Sequence, residues 1–247
     1  EKFDGERRPV ARRADVIGGN RNGFAVPMPL QLVELLGHLP PDTEIDSEQI
    51  GDTLHVFDTM RIGGECQRDV AYMVRLDKVG VLLNLLGRPG NILAVETAIG
   101  TDAKRALYQR LRAQRKEGMV FKRLDAGYGI GKNDDQIKIK FVERATLQVA
   151  SVHASKRSVS VQAVDANGHA VPLGNVTIPA NHPIPAVGEL CEVEYLYVVA
   201  SLYQPVYKGV RTDLTLAACT TAQLKYRAGI GDSEAENDAS LLDAMAA

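Results

Sequence analysis

Long hydrophobic runs are missing from this sequence, and cysteine is scarce. No apolar stretch approaches the ~20 residues of a membrane-spanning helix, and no signal peptide is visible, although the first residue is not Met. The cysteines, Cys66, Cys191 and Cys219, are far apart and form no CxxC pair. These absences argue against a membrane partner, a zinc ribbon and a disulfide framework, and they favour a reducing, cytoplasmic location.

Basic residues are absent from the last twenty positions, where five acids occur between Asp232 and Asp243. Because the whole chain has a formal net charge of −2, taking away these five negative charges leaves a body of net charge +3. We expect residues 228–247 to form a flexible acidic tail.

The remaining chain divides into two regions of different composition. Residues 1–143 mix helical patterns, in PMPLQLVELLGHLP, DVAYMVRLDKVGVLLNLLG and TDAKRALYQRLRAQRKEG, with the short strands TLHVFD, GMVFKR and QIKIKF. In the third helix, Thr101 is the expected N-cap. Residues 144–227 read almost wholly as β-strands, which suits a small barrel such as the OB-fold. The fold class predicted is therefore α+β, with antiparallel sheets and flanking helices followed by a β-barrel domain.

The first eight residues, EKFDGERR, place a lysine two positions before an Asp-Gly pair. Asp-Gly is a strong turn signal, so a surface hairpin is the simplest interpretation of Lys2. QIKIKF places Lys138 and Lys140 on one face of a strand, with Ile139 and Phe141 on the other. Such a pair either binds an anion or protects a sheet edge.

Three further stretches carry candidate functional residues. In EGMVFKR, Glu117 is suited to bind a hard cation and Lys122 to bind a phosphate. Strict strand alternation would place them on opposite faces, so they can share a site only if Glu117 precedes the strand. GNRNGF places Arg21 in a turn. IDSEQIGDTLHVFD places Glu48 in a turn and Phe57 on the following strand, where core packing is the default role of a phenylalanine.

Taken in order, these stretches resemble the motifs of the covalent nucleotidyltransferases, the ATP-dependent polynucleotide ligases and their mRNA-capping relatives. KFDGER is similar to K-x-D-G-x-R, NRNG to R-x-G, IDSE to D-G-E, EGMVFK to E-G-hydrophobic-hydrophobic-x-K, and KIK to K-x-K. HVFD resembles the aromatic strand of that family, and VRTD its R-x-D element in the OB domain. Within this family, the stretches LYQPVYKGVRTD and GNVTIP look most similar to those of small ligases of phages and bacterial mobile elements.

The resemblance implies a nucleotidyltransferase domain over residues 1–143, an OB-fold domain over 144–227, and a role for each candidate. Lys2 would attack the α-phosphate of ATP, and its pKa would be lowered by neighbouring cations. Lys138, Lys140 and Arg211 would join it as catalytic residues. The implied ATP or AMP ligands are Glu1, Lys2, Arg7, Arg21, Glu48, Phe57, Glu117, Lys122, Lys138 and Lys140. Glu117 and Glu48 would hold Mg²⁺, or Mn²⁺ in its place.

The implied substrate is a nicked DNA duplex, sealed by a monomer in DNA repair or replication. Arg8, Arg12 and Arg13 would contact the nucleic acid, while the cations of the third helix are equally well a solvated face. An RNA ligase, a capping guanylyltransferase and a non-catalytic OB-type binding protein stay open as alternatives.

Two departures from the family pattern bear on these expectations. Ser47 stands where D-G-E has Gly, so a different local turn is expected. Only Glu1 precedes Lys2, whereas members of the family have a strand there that contributes to the adenine pocket. The resemblance therefore implies further residues before Glu1.

Overall fold

The computed structural model describes residues 1–131 and 133–227, and it divides into two units. The first unit comprises Glu1–Leu111 and Gly118–Ile139, and the second comprises Arg112–Glu117 and residues 140–227. The second unit thus takes a short piece of chain from within the first region of the sequence. The acidic tail predicted for residues 228–247 lies outside the described residues. No described helix has the length and apolarity needed to cross a membrane.

The first unit is built on a large, mostly antiparallel sheet with helices. Its strands are β1 (Glu6–Arg7), β2 (Val10–Arg12), β3 (Val16–Gly19), β4 (Ala25–Val26), β5 (Thr43–Ile50), β6 (Thr53–Ile62), β7 (Glu65–Cys66), β8 (Ile92–Ala94), β9 (Gly118–Lys122) and β10 (Gln136–Lys140). Its helices are α1 (Leu30–Leu36), α2 (Tyr72–Leu85) and α3 (Thr101–Ala113). The ends of α3 and β10 are counted with the second unit.

The sheet runs in the order β4-β3-β2-β5-β6-β7, with β1 also paired to β5 and β8 parallel to β6. Strands β9 and β10 form a separate two-stranded sheet. Apolar side chains of α1 and α2, among them Leu32, Leu36, Val79 and Leu82, pack with the sheet into one buried core. This core fixes β5 and β6, the two long strands that carry several of the candidate residues.

The three predicted helices are confirmed, each shorter than its sequence pattern. Thr101 is the first helical residue of α3 rather than a residue outside it. Beyond α3, Arg115 adopts a left-handed backbone conformation, with φ of 53°, and such a residue ends a helix. Gly118 lies beyond this position and begins β9.

The second unit contains an antiparallel sheet of five strands. These are β11 (Glu143–Val152), β12 (Ser158–Val164), β13 (Ala170–Thr177), β14 (Leu190–Tyr195) and β15 (Val206–Val210), in the order β13-β12-β11-β14-β15. Alternate residues of the strands, such as Leu147, Val149, Val159, Val161 and Val193, are buried in a single core. The β-rich character predicted for this region is confirmed.

Candidate active site

A large cavity in the first unit gathers most of the predicted site residues. Its volume is about 1660 Å³, above the roughly 300–1,000 Å³ usual for small-molecule sites. The predicted residues that line it are Glu1, Lys2, Arg7, Arg21, Glu48, Phe57, Lys122 and Lys138. The cavity therefore has room for a nucleotide together with part of a larger substrate.

Lys2 is held at the start of β9 by its backbone. Its N–H donates to the carbonyl of Gly118 at 2.8 Å, and the next residue, Phe3, stacks on His55 with ring centroids 4.0 Å apart. The hairpin expected for Asp-Gly is wrong, because the following strand, β1, pairs with β5. Glycine is required at position 5 for a steric reason instead, because a Cβ there would lie 2.5 Å from the carbonyl oxygen of Gln49.

Arg7 is fixed by a buried carboxylate that the sequence did not single out. Its Nε lies 3.0 Å from Oδ1 of Asp46, and its Nη2 lies 2.6 Å from Oδ2. The hydroxyl of Tyr128 donates to the same Asp46 at 2.7 Å and also lies 2.7 Å from Arg7. Hydrogen bonding to Asp46 raises the pKa of Arg7. The guanidinium is thus a permanent cation of fixed orientation at the cavity wall.

The burial of Asp46 follows from an irregularity in β5. Asp46 and its neighbour Ser47 are both buried, although strict alternation would place one of them outside. The register between β5 and β6 shifts between these two residues. The Ser47 hydroxyl donates to the carbonyl of Arg8 at 2.5 Å, and Glu48 lies within β5. The turn expected at this motif is therefore wrong, and Glu48 projects from a strand.

Lys122 lies in a second buried ionic cluster, at the end of β9. Its Nζ is 3.1 Å from Asp58, which also binds the guanidinium of Arg75 at 2.7 and 3.2 Å. The ammonium also lies 4.2 Å from the ring centroid of Tyr72 and 4.9 Å from that of Phe57. Burial lowers the pKa of Lys122, and the charge of Asp58 opposes that shift. Asp58 therefore helps to keep Lys122 protonated.

Phe57 and Arg21 both line the cavity but differ in how exposed they are. Phe57 is half-buried on β6 and lies outside the buried core of the unit, so the default core role does not describe it. Arg21 is exposed in a turn that the Asn20 side chain shapes by accepting hydrogen bonds from the N–H groups of Asn22 and Phe24.

Glu117 and Lys140 belong to the second unit. Lys140 Nζ lies 3.7 Å from Oε1 of Glu117, and the N–H of Phe141 donates to the Glu117 carbonyl at 2.8 Å. Glu117 directly precedes β9, as a shared site with Lys122 would require. Lys138 lines the cavity of the first unit. The prediction that Ile139 fills an apolar face is wrong, because Ile139 is 43% exposed on a two-stranded sheet.

The basic residues assigned to nucleic acid have internal partners. Arg8 is 4% exposed and donates to Gln49 and Glu6, so the structure contradicts its expected contact with DNA. Arg8 lies between β1 and β2 with its side chain inside the protein, where its charge must be paired. Arg12 donates to backbone carbonyls, including that of Gly37 at 3.0 Å. Arg13 is more exposed than Arg8, and its guanidinium binds Asp42 and Glu44.

Arg211 lies just beyond β15 in the second unit. Its Nε and Nη2 bind the two carboxylate oxygens of Asp213, each at 2.8 Å, and its Nη1 lies 3.1 Å from Glu192. The hydrogen bonds from Arg211 lower the pKa of Asp213 to about 2. Arg211 and Asp213 therefore form an ion pair on the surface of the second unit.

No protein-family model and no curated protein sequence matches the chain. Among solved structures, a Lig E DNA ligase is 19% identical with a TM-score of 0.66, over 85% of this chain and 91% of its own. The ligase domain of LigD from M. tuberculosis is 19% identical with a TM-score of 0.52, over 89% and 90%. A mycobacterial DNA ligase D complexed with ATP gives the same figures. The chain therefore shares the fold of DNA ligases.

Proposed function

We propose that this protein is an ATP-dependent DNA ligase that seals nicks through a lysyl-AMP intermediate. One observation carries the proposal: within a fold shared with DNA ligases, a single cavity collects Lys2, Arg7, Glu48, Phe57 and Lys122. These residues are separated by up to 120 positions in sequence, yet they combine a nucleophile, an aromatic face, a carboxylate and cations. That combination suits a nucleoside triphosphate.

In the first step, Lys2 Nζ, once deprotonated, attacks the α-phosphorus of ATP. A nitrogen–phosphorus bond forms, the bond to the bridging oxygen breaks, and pyrophosphate leaves with the electron pair. Lys122 and Lys138 neutralise the charge that develops on the phosphates. Arg7 contributes a cation whose direction is set by Asp46 and Tyr128.

The nucleoside is placed by the remaining cavity residues. Phe57 stacks on the adenine, and Glu48 and Arg21 bind ribose or phosphate oxygens; Glu1, which also lines the cavity, is a further ligand of the nucleotide. Glu117, Lys140 and Arg211 act from the second unit, which we propose to be an OB-type domain that closes for the first step. Arg211 then orients the departing pyrophosphate by bidentate hydrogen bonds.

A magnesium ion fits this site only with ligands from the nucleotide. Among residues 1–131 and 133–227, no group of three or more His, Cys, Asp or Glu side chains is arranged to hold a metal. Mg²⁺ keeps several waters and is usually held by one or two carboxylates plus phosphates, a part that Glu48 and Glu117 would play. Its chemistry would be to withdraw charge from the phosphate oxygens, and Mn²⁺ would serve in its place.

In the later steps, AMP passes from Lys2 to the 5′-phosphate of a nicked duplex. The 3′-hydroxyl then attacks that phosphate, closes the strand and releases AMP. We place this activity in a cytoplasmic monomer serving DNA repair or replication. The three free cysteines support a reducing compartment.

The test is incubation of the protein with labelled ATP, GTP or NAD, followed by nicked DNA and nicked RNA duplexes. We expect a covalent AMP adduct that mass spectrometry assigns to Lys2, and sealing of nicked DNA. Lys2→Ala should abolish the adduct, while Lys156→Ala, which changes an exposed lysine of the second unit, should keep it. An adduct that persists on Lys2→Ala would exclude Lys2, and a GMP adduct would favour a capping-type guanylyltransferase.

A further inference from the structure

The second unit contains a small cleft that none of the proposed active-site residues line. Its volume is about 380 Å³, and we call it the basic cleft. It is lined by the end of α3 and the residues just after it, by the first residue of β11, and by the segment that follows the last strand. Its lining residues are Arg112, Ala113, Arg115, Glu143, Gln223, Leu224, Lys225 and Tyr226.

The lining of the basic cleft carries three cationic side chains and one carboxylate. Glu143 lies 3.0 Å from Nη2 of Arg112 and 3.9 Å from Nζ of Lys225. Only 15% of the Lys225 side chain is exposed, and its ammonium donates to the carbonyl of Phe141 at 3.1 Å. Burial lowers the pKa of Lys225 and the charges of Arg112 and Arg115 lower it further, while the charge of Glu143 opposes the shift. The cleft is therefore a region of positive potential that an anion would stabilise.

One wall of the basic cleft is held rigidly by Gln223. Its Nε2 donates to the carbonyls of Thr146, Ala218 and Thr220, at 2.9, 3.2 and 2.9 Å, and its Oε1 accepts from the N–H of Thr146 at 2.8 Å. The amide thus ties the segment that carries Lys225 to β11. Lys225 is therefore held in place on this wall, and little ordering of this lysine is needed when a ligand binds.

Arg115 occupies a backbone position that favours glycine. Its φ of 53° lies in the left-handed region, and its N–H donates to the carbonyl of Arg112 at 3.0 Å. Glycine adopts this conformation without steric strain, whereas arginine does not. Arg115 is an exposed residue that lines the cleft, and its side chain adds a positive charge there.

We propose that the basic cleft binds a phosphate group of a nucleic-acid backbone. The guanidinium groups of Arg112 and Arg115 are suited to bidentate contact with phosphate oxygens, and Lys225 adds a point charge. The contact would add affinity without reading sequence. The choice of DNA as the partner rests on the proposed function, whereas the site itself rests on the cleft.

The experiment measures binding of the full chain to a nicked DNA duplex over a range of salt concentrations. Loss of one phosphate contact reduces the slope of log K against log salt by about 0.9. We expect that reduction for Arg115→Gly, which relieves the backbone strain as it removes the charge, and for Lys225→Gln. Arg115→Lys should keep the wild-type slope. Lys156→Gln removes an exposed lysine elsewhere in the second unit and should leave the slope unchanged.

Two results would overturn the proposal. One is a wild-type slope in both Arg115→Gly and Lys225→Gln. The other is a loss of inorganic phosphate or pyrophosphate binding in these variants with the DNA slope unchanged, which would make the cleft a site for free phosphate. Melting curves identify a variant that fails to fold. If Lys225→Gln fails to fold, the result for Arg115→Gly alone decides whether the proposal stands. Self-adenylylation is assayed in parallel: failure of wild type to form AMP–lysine refutes the ligase activity, not the phosphate site.

Discussion

Replacing Asp58 by asparagine should destabilise the first unit and should also change the pH dependence of ATP binding in its cavity. Asp58 and Arg75 are 1% and 2% exposed, and the pair is bidentate. Asparagine keeps the shape but leaves a buried guanidinium without its counter-charge. Removing one partner of a buried pair typically costs about 3–5 kcal/mol, which for a unit of this size lowers the melting temperature by on the order of 10 °C.

Calorimetry on the full chain measures this loss as a lower melting temperature than that of wild type. Asp58→Asn combined with Arg75→Met also removes the buried guanidinium and should recover part of the lost stability, while Lys122 still lacks its carboxylate partner. A cost below about 1 kcal/mol for Asp58→Asn alone would refute the reasoning, since surface pairs lie in that range.

The same substitution should shift the pH dependence of ATP binding. The pKa of Lys122 is already lowered by burial, and Asp58 opposes that effect. Without the carboxylate the pKa falls further, so Lys122 loses its proton at a lower pH and the alkaline limit of binding moves down. Lys122→Met should remove that limit altogether. An unchanged alkaline limit in Asp58→Asn would show that Lys122 does not bind the nucleotide as a cation.

Three further predictions concern single residues. Phe57→Ala should weaken nucleotide binding with little change in melting temperature, because Phe57 is half-buried; a loss of ~3–5 kcal/mol would instead indicate a core residue. Arg211→Ala should abolish self-adenylylation yet still seal a nick that already carries AMP, and normal self-adenylylation would contradict the role of Arg211 in closure. In wild type, Asp213 should titrate near pH 2 by NMR, and Arg211→Ala should return its midpoint toward the ordinary value; an unchanged midpoint would show that the pair is not formed in solution.

The segments whose signal is local were predictable from the sequence. Helical spacing of apolar residues indicated α1, α2 and α3, and alternation indicated the strands of the second unit. The ends of these elements were less predictable: α3 stops at a residue with positive φ that no sequence rule for arginine suggests. The sequence pattern predicts Glu48 in a turn, whereas the pairing of β5 with β6 extends the strand past it.

The sequence alone determined which chemical groups this protein can offer to a phosphate. The motifs KFDGER, EGMVFK and KIK, and the β-rich region after residue 143, can each be recognised from neighbouring residues. Only the tertiary structure decided which groups meet. Arg7 finds Asp46 39 residues away and Tyr128 121 residues away, and Arg8, one position later, is buried against Gln49. These outcomes depend on strand register, since a shift of one residue moves every side chain to the opposite face of a sheet, and register is set by long-range pairing that no local pattern encodes.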